Sequence, residues 1–331
     1  MKQATAEKIS VVIPAYNAAW SIGETLQSVL HQSHSPEEII IVDDGSTDAL
    51  QPAVAAVAQQ DRRVHLLRQA NSGLAAARNA GIRAAASPFV ALIDSDDLWH
   101  SRFLESVGTA LAAAPVAPFA YSYSIRIDGA NQVLPNAHWP RAPRHDFTGL
   151  LTLNSVGSGS AAIFRRDLLL AKGGFDETLR QRESEGAEDW KMVLTLAHLA
   201  PPVLVPEYLV AYRLMARSMS QSNPEKQWRA ISTVLNDVRS ELPVAPDDAR
   251  NARTMMTGWL ASAFLRKGNL SLLACLLAQA YILNPLWFRS ADLRMLHAMK
   301  LRSMMHTFRA RMQSSHIKLR DLPGFEFLHD R

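Results

Sequence analysis

Short apolar runs alternating with amphipathic stretches of helix length set the rhythm of the first hundred residues. Ile9-Ser10-Val11-Val12-Ile13-Pro14 is a β-branched run closed by proline, the pattern of a strand buried on both faces. Ser21 and Glu24 have the spacing of a capping box, and Ile22, Leu26, Val29 and Leu30 form the stripe of the helix behind them. Glu38 to Asp43 reads as a second strand, Val64 to Leu67 as a third and Phe89 to Asp94 as a fourth. An alanine-rich helix is predicted from about Gly73 to Ala85, and another from Leu98 to Ala114. Repeated βα units imply a parallel sheet covered by helices, with ligands at the carboxyl ends of its strands.

The middle of the chain is less regular. Phe119 to Ile127 reads as a strand, Asn131 to Phe147 as a loop rich in Pro and Arg, and Ser160 to Phe164 as a short strand. A helix opens at Gly186-Ala187-Glu188-Asp189-Trp190, and two short strands follow between Pro201 and Tyr212. Beyond Pro224 the pattern turns helical, over Trp228–Leu242, about Ala249–Arg266, Ser271–Leu283 and Asp292–Met312, so a boundary is expected near 225.

The net charge of +4 conceals an asymmetry: residues 225–331 hold 16 Lys/Arg against 9 Asp/Glu, leaving the first 224 slightly acidic. The bulk of the protein is therefore no nucleic-acid binder. One cysteine, Cys275, excludes a disulfide framework or a cysteine-held zinc. The start lacks the apolar core of a secretory signal, so a cytoplasmic protein is expected. The uncharged stretch from Gly268 to Phe288 is interrupted by Asn269, Gln279, Asn284 and Pro285, which suits a buried helix better than a membrane span.

The polar clusters Tyr16-Asn17, Asp43-Asp44 and Asp94-Ser95-Asp96-Asp97 all fall at predicted strand ends. Carboxylates at that density persist only when solvated or when a cation lies among them; Asp48 and Asp97 suit acidic turns or caps equally well. Oxygen donors without His or Cys point to Mg²⁺ or Mn²⁺, metals that commonly bridge carboxylate and phosphate. Neither G-x-G-x-x-G after the first strand nor G-x-x-x-x-G-K-[ST] anywhere is present, so a diphosphate would need a carboxylate-bound metal instead. Arg78, after Asn71-Ser72-Gly73, offers a positive fork, or is a surface helix arginine.

Together with Val11–Asn17, Val42–Asp48, Asn71–Asn79 and Asp94–Asp97, the segments Gly173-Gly174-Phe175-Asp176-Glu177 and Glu188-Asp189-Trp190 resemble the family 2 inverting glycosyltransferases in order and spacing, over about residues 8–220. The resemblance implies an α/β GT-A fold, Rossmann-like, at residues 1–224, with a nucleotide-binding half (about 1–115) and an acceptor-binding half (116–224); the helical pattern beyond Pro224 adds a C-terminal extension (225–331). It implies that Pro14, Tyr16 and Asp43 contact the nucleotide base, with Asn17, Asp44, Gly73, Arg78 and Ser95 close by. Asp94 would hold the ribose, Asp96 would ligate Mn²⁺ or Mg²⁺, and Asp189 would be the general base, although it and Glu188 also suit helix caps. Gly174, Glu188, Trp190 and Arg213 would be acceptor-contacting or other site residues. The implied reaction is transfer from a nucleotide-sugar, a UDP-sugar above all, to a glycan or lipid-linked acceptor in surface polysaccharide synthesis.

One departure is clear. Met215 stands where the family commonly has a His after Tyr-Arg, and a thioether is a poor ligand for a hard cation; Arg213 or Arg217 could compensate electrostatically. Q-x-x-R-W is absent, which disfavours a processive synthase. A sugar-1-phosphate nucleotidyltransferase should carry a glycine- and arginine-rich loop where Pro14-Ala15-Tyr16-Asn17 stands, and a non-catalytic nucleotide-sugar scaffold should lack Asp96 or Asp189. In the tail, Leu293, Leu296, Leu301, Met304, Met305, Phe308 and Met312 alternate with basic residues. Three readings stay open for 289–320: a helix on the anionic inner face of the cell membrane, a helix packed on the catalytic domain, or a homo-oligomer contact.

Overall fold

A computed structural model describes residues 8–138, 141, 142, 144–215, 223–267, 278 and 317–329. The described strands form one mixed sheet in the order β3-β2-β1-β4-β8-β6-β9-β5, with β7 paired to β6. β1 (Ile9–Ala15), β2 (Glu38–Asp43), β3 (Val64–Arg68) and β4 (Phe89–Leu92) are the parallel part. β8 (Ala162–Arg165) runs antiparallel to β4 and to β6 (Phe119–Ile127), which in turn lies parallel to β9 (Val203–Arg213). β1 is buried along its whole length, as a β-branched run between two helical layers must be. This is the GT-A architecture expected from the sequence.

Helices α1 (Ile22–Leu30), α2 (Leu50–Ala58), α3 (Leu74–Ala84) and α4 (Phe103–Ala112) accompany the strands. The sequence did not predict α2, whose only buried residues are Leu50 and Val54. α5 (Phe147–Thr152), α6 (Arg166–Ala171), α7 (Thr178–Gln181) and α8 (Glu188–Ala197) follow, then α9 (Pro224–Glu241) and α10 (Pro246–Lys267). Ala230, Val234, Leu235 and Val238 of α9 and Ala252 and Met256 of α10 belong to the same apolar core as the sheet. Among the described residues no helix is long and apolar enough to cross a membrane. The helices expected over Ser271–Leu283 and Asp292–Met312, and with them the basic amphipathic stripe, lie outside the described residues.

Several expectations need correction. Leu98 and Trp99 do not begin a helix: they form β5, paired with Ala211 and Val210 of β9, and α4 starts at Phe103. Tertiary packing overrides the helical pattern there, because Trp99 stacks on Phe103 at 4.3 Å and donates its Nε1–H to Ser160 O. The expected loop from Asn131 contains strand β7 (Val133–His138) against β6. The two short strands after Pro201 are one, with a register shift between Val205 and Tyr208 that accommodates Pro206, which has no N–H for a ladder. The capping box does not form: Ser21 makes no side-chain cap, and Glu24 is drawn away to Arg213.

Gly174 shows how tightly α3 is joined to the turn before α7. Its φ is +78°, and a Cβ there would lie 2.3 Å from Asn79 Oδ1. Asn79 is in α3, and its side chain clamps the 174–177 turn by accepting from Phe175 N–H and donating to Phe175 O and Glu177. Gly174→Ala is therefore expected to destabilise the protein by about 1–3 kcal/mol, measured by urea denaturation. A loss below experimental error would mean that the clamp carries little of the fold's stability.

Candidate active site

The turn after β4 gathers three carboxylates, and its backbone is held from several sides. Asp94 N–H donates to Ser160 Oγ at 3.0 Å, and that hydroxyl donates to Asp97 Oδ2 at 2.5 Å. Thr25 Oγ1 reaches the carbonyls of Ser95 and Asp97. Asp97 points inward, fully buried, and accepts the Arg213 N–H at 2.9 Å. Burial, then the charges of Asp96 and Asp94, push its carboxyl well above the usual range. Of the two readings open for Asp97, the structure favours the buried turn residue. Asp94, Ser95 and Asp96 stay partly accessible. Desolvation and neighbouring Asp94 push Asp96 up to about 6.

On one side of this turn lies Arg78. It is not the surface helix arginine that the sequence left open: it is 1% exposed, donating to Asp94 Oδ1 at 2.7 Å and to Glu188 Oε1 at 2.9 Å. Burial opposes its charge, yet Asp94, Glu188 and Asp189 together hold the guanidinium above its ordinary range. Gly159 passes so close that a Cβ would sit 2.9 Å from Arg78 Nη2. Asp189, in the first turn of α8, is partly accessible and pushed up to about 7 by desolvation and by Glu188, with Arg78 opposing. The arginine thus links the β4 turn to the start of α8.

On the other side lies Arg213, also buried. It donates Nε–H to Asp96 O at 2.6 Å, Nη1–H to Asn131 Oδ1 at 2.6 Å and Nη2–H to Glu24 Oε2 at 2.9 Å. Those bonds put the guanidinium on the backbone of the acidic turn, which it supports. Trp190 is 3% exposed and donates its Nε1–H to Leu150 O, so its ring belongs to the core. Glu188 is buried; it pairs with Arg78 and accepts the Gly186 N–H. Gly174 is the clamped turn described above. Met215 lies beside Gly129, where a Cβ would be 3.1 Å from its sulfur.

The loops after β1 and β2 form the outer wall. Tyr16 and Trp20 are 52% and 55% exposed, and the Trp20 ring centroid lies 5.9 Å from the Arg213 guanidinium carbon. Pro14 is buried in β1, and Asn17, at φ +50°, accepts the Thr47 N–H. Asp43 accepts from Ser46 N–H and Gln51; burial opposes its charge, but these bonds and Arg68 hold it below the usual range. Asp44 accepts from Ser72 N–H and Gly73 N–H, both at 2.8 Å, so it shapes the turn into α3. Ser72 and Gly73 wall a cleft with Arg180, Glu185 and Glu188.

Sequence reasoning missed Trp20, Asn131, Ser160 and the role of Glu24. Glu24 carried a signal, but capping-box spacing disguised it; the others had none, because the partners that define their roles are 61 or more residues away. Among the described residues no three His, Cys, Asp or Glu side chains form a preformed metal cage. Asp94 and Asp96 suit a cation such as Mg²⁺ or Mn²⁺, which takes one or two carboxylates and fills its remaining positions with phosphate oxygens and water.

Residues 10–171 match the family model described as Glycosyl transferase family 2. A Bacillus subtilis (strain 168) glycosyltransferase named for teichuronic acid biosynthesis, TuaG, is 44% identical over 98 residues, 29% of this chain and 39% of that protein. Such matches span 14% to 40% of the curated relatives' own lengths. Two solved structures share the fold. S. aureus TarS 1–349 in complex with UDP-GlcNAc aligns with a TM-score of 0.58 at 20% identity, covering 80% of this chain and 75% of TarS 1–349. The Pyrobaculum calidifontis mannosyltransferase PcManGT, in complex with GDP-Man and Mn²⁺, aligns with a TM-score of 0.59 at 19% identity, covering 94% of this chain and 89% of its own. With the six motifs in order and a GT-A sheet beneath them, residues 10–171, just under half of the chain, carry the glycosyltransferase family 2 domain.

Proposed function

We propose that the chain is a metal-dependent inverting glycosyltransferase, moving a sugar from a nucleoside-diphosphate donor, a UDP-sugar, to a hydroxyl of a glycan or lipid-linked acceptor in surface polysaccharide synthesis. The observation that carries this reading is the meeting of Asp94 and Asp189 around buried Arg78, with Asp96 beside them, at the carboxyl edge of the parallel strands. The ligands named for TarS and PcManGT support a nucleotide-sugar donor, and the name of TuaG supports a polysaccharide product. Residues 1–224 would be the catalytic unit and 225–331 its helical extension.

In this reading Tyr16 lays its exposed ring against the base, with Pro14, Asn17 and Asp43 framing that end. Asp94 holds the ribose next to Ser95. Asp96 would hold Mn²⁺ or Mg²⁺, which when bound supplies Lewis-acid neutralisation of charge developing on the leaving diphosphate. Asp44 acts through the Gly73 turn, and Arg78 ties Asp94 to Glu188. Asp189 takes the proton from the acceptor hydroxyl while that oxygen attacks the anomeric carbon from the face opposite the nucleotide. The bond from anomeric carbon to diphosphate oxygen breaks, its electron pair leaves with the nucleoside diphosphate, and the configuration inverts. A carboxyl that titrates near 7 is well matched to this task at neutral pH.

Thermal shift with a panel of nucleoside diphosphates, with and without Mn²⁺, tests the donor site. A Mn²⁺-dependent rise in Tm is expected with UDP, and its loss in Asp96→Ala. No shift with any nucleotide would sink the reading; a shift that survives in Asp96→Ala would remove Asp96 from metal binding.

A further inference from the structure

The described C-terminal segment, residues 317–329, is built into the catalytic domain. Its Lys318 bridges Gln132, Ile317 O accepts the Val133 N–H at 3.0 Å, and Leu319 N–H donates to Asn131 O at 2.8 Å. Further along, Gly324 O accepts the Ser101 N–H at 2.9 Å, and Phe325 meets the His100 ring edge-on at 5.5 Å. Leu319, Phe325 and Leu328 are buried in a second apolar cluster with Leu98, Ile125, Ile127 and Ala211. The segment therefore grips the chain on both sides of the helix and strand that follow the acidic turn.

Asn131 is where this grip meets the candidate site. Its φ is +60°, a left-handed conformation that Asn tolerates better than most residues. The carbonyl is taken by Leu319, while the side chain accepts from Arg213 at 2.6 Å and donates to Glu24 at 3.2 Å. Arg213 in turn holds Asp96 O and gives its N–H to Asp97. Three crowded carboxylates favour relaxation of that turn toward water, and a fixed guanidinium on its carbonyl resists it.

We propose that residues 317–329 act through Asn131 as a strap that holds the Asp94–Asp97 turn in register, making Asn131 a positioning residue for donor binding. The proposal rests on the reading of that turn as the donor site. The apolar contacts of the strap supply the hold; the Asn131 side chain transmits it.

The test is the Mn²⁺-supported affinity for UDP, measured by calorimetry on full-length chains. Asn131→Gly keeps the positive φ and the carbonyl but deletes both side-chain bonds. It should weaken UDP about 10-fold, the scale seen for residues that orient metal ligands, while the ligand-free Tm stays within a few degrees. Asn131→Asp, which keeps the acceptor for Arg213 but loses the donor to Glu24, should recover part of the affinity. Leu319→Pro removes the N–H that meets Asn131, whereas Leu319→Ala keeps it, so only the proline variant should match Asn131→Gly. Combining Asn131→Gly with Leu319→Pro should weaken binding no further. Additive losses, or equal behaviour of the two Leu319 variants, would overturn the strap while leaving the donor site standing. A wild-type chain that binds no UDP with Mn²⁺ would overturn the donor-site reading and the strap with it.

Discussion

Asp189→Asn should lower kcat by about 10²–10⁴-fold, the usual contribution of a positioned general base, while leaving the Mn²⁺-dependent UDP affinity near that of wild type. Release of nucleoside diphosphate, from the sugar donor that the binding screen selects, is the readout. Folded Asp189 keeps its proton to about pH 7, against an ordinary value of 3.8. Wild-type activity should therefore rise with pH through about 7 and then level off, and Asp189→Asn should lose that rising limb. Stability runs the opposite way. Between about pH 4 and 7 the folded chain binds more protons at this site than the unfolded chain, so this contribution falls as pH rises. At pH 8 Asp189→Asn should melt no lower than wild type, because it removes a desolvated charge. Retention of activity within tenfold would take the base role away from Asp189.

Arg78→Met should be the most destabilising substitution in the site, by about 3–5 kcal/mol at pH 8, because it leaves Asp94 and Glu188 without the cation that both contact. Arg78 is 1% exposed and the Glu188 side chain 5%, so water cannot replace the lost bonds without opening the domain. Arg78→Met/Glu188→Gln should recover part of the loss, since one uncompensated charge is gone. Urea denaturation of the wild type and both variants measures each quantity. A cost below about 1 kcal/mol would mean that the pair behaves like an exposed ion pair and does not hold the β4 turn to α8.

Much of this molecule is legible from local pattern. Ile9–Pro14 and Glu38–Asp43 read as buried strands because β-branched runs bounded by turn residues leave few alternatives, and both form as read. The parallel order placed Tyr16, Asp43 and Asp94 at one sheet edge before any coordinates, since right-handed βα units leave strand ends on a common side. Leu98-Trp99 reads as helix by spacing and becomes a strand because Val210 and Ala211 offer it a ladder. Glu24 reads as a cap and becomes a salt-bridge partner because Arg213, 189 residues away, is buried beside it. Arg78 could be read as a fork for phosphate or as a surface residue; that it joins Asp94 to Glu188, 110 residues further on, has no local signature.

The division follows from range. Strand and helix preferences, the ends of strands and the types of residue standing there arise from contacts within a few turns of chain, and the amino-acid order carries them directly. Which carboxylate faces water and which is spent inside arises from partners brought together by folding. Asp96 and Asp97 are adjacent in the chain, yet one stays accessible on the turn while the other is locked by Ser160 and Arg213. A desolvated charge needs a partner at about 3 Å, and sequence separation says nothing about that distance.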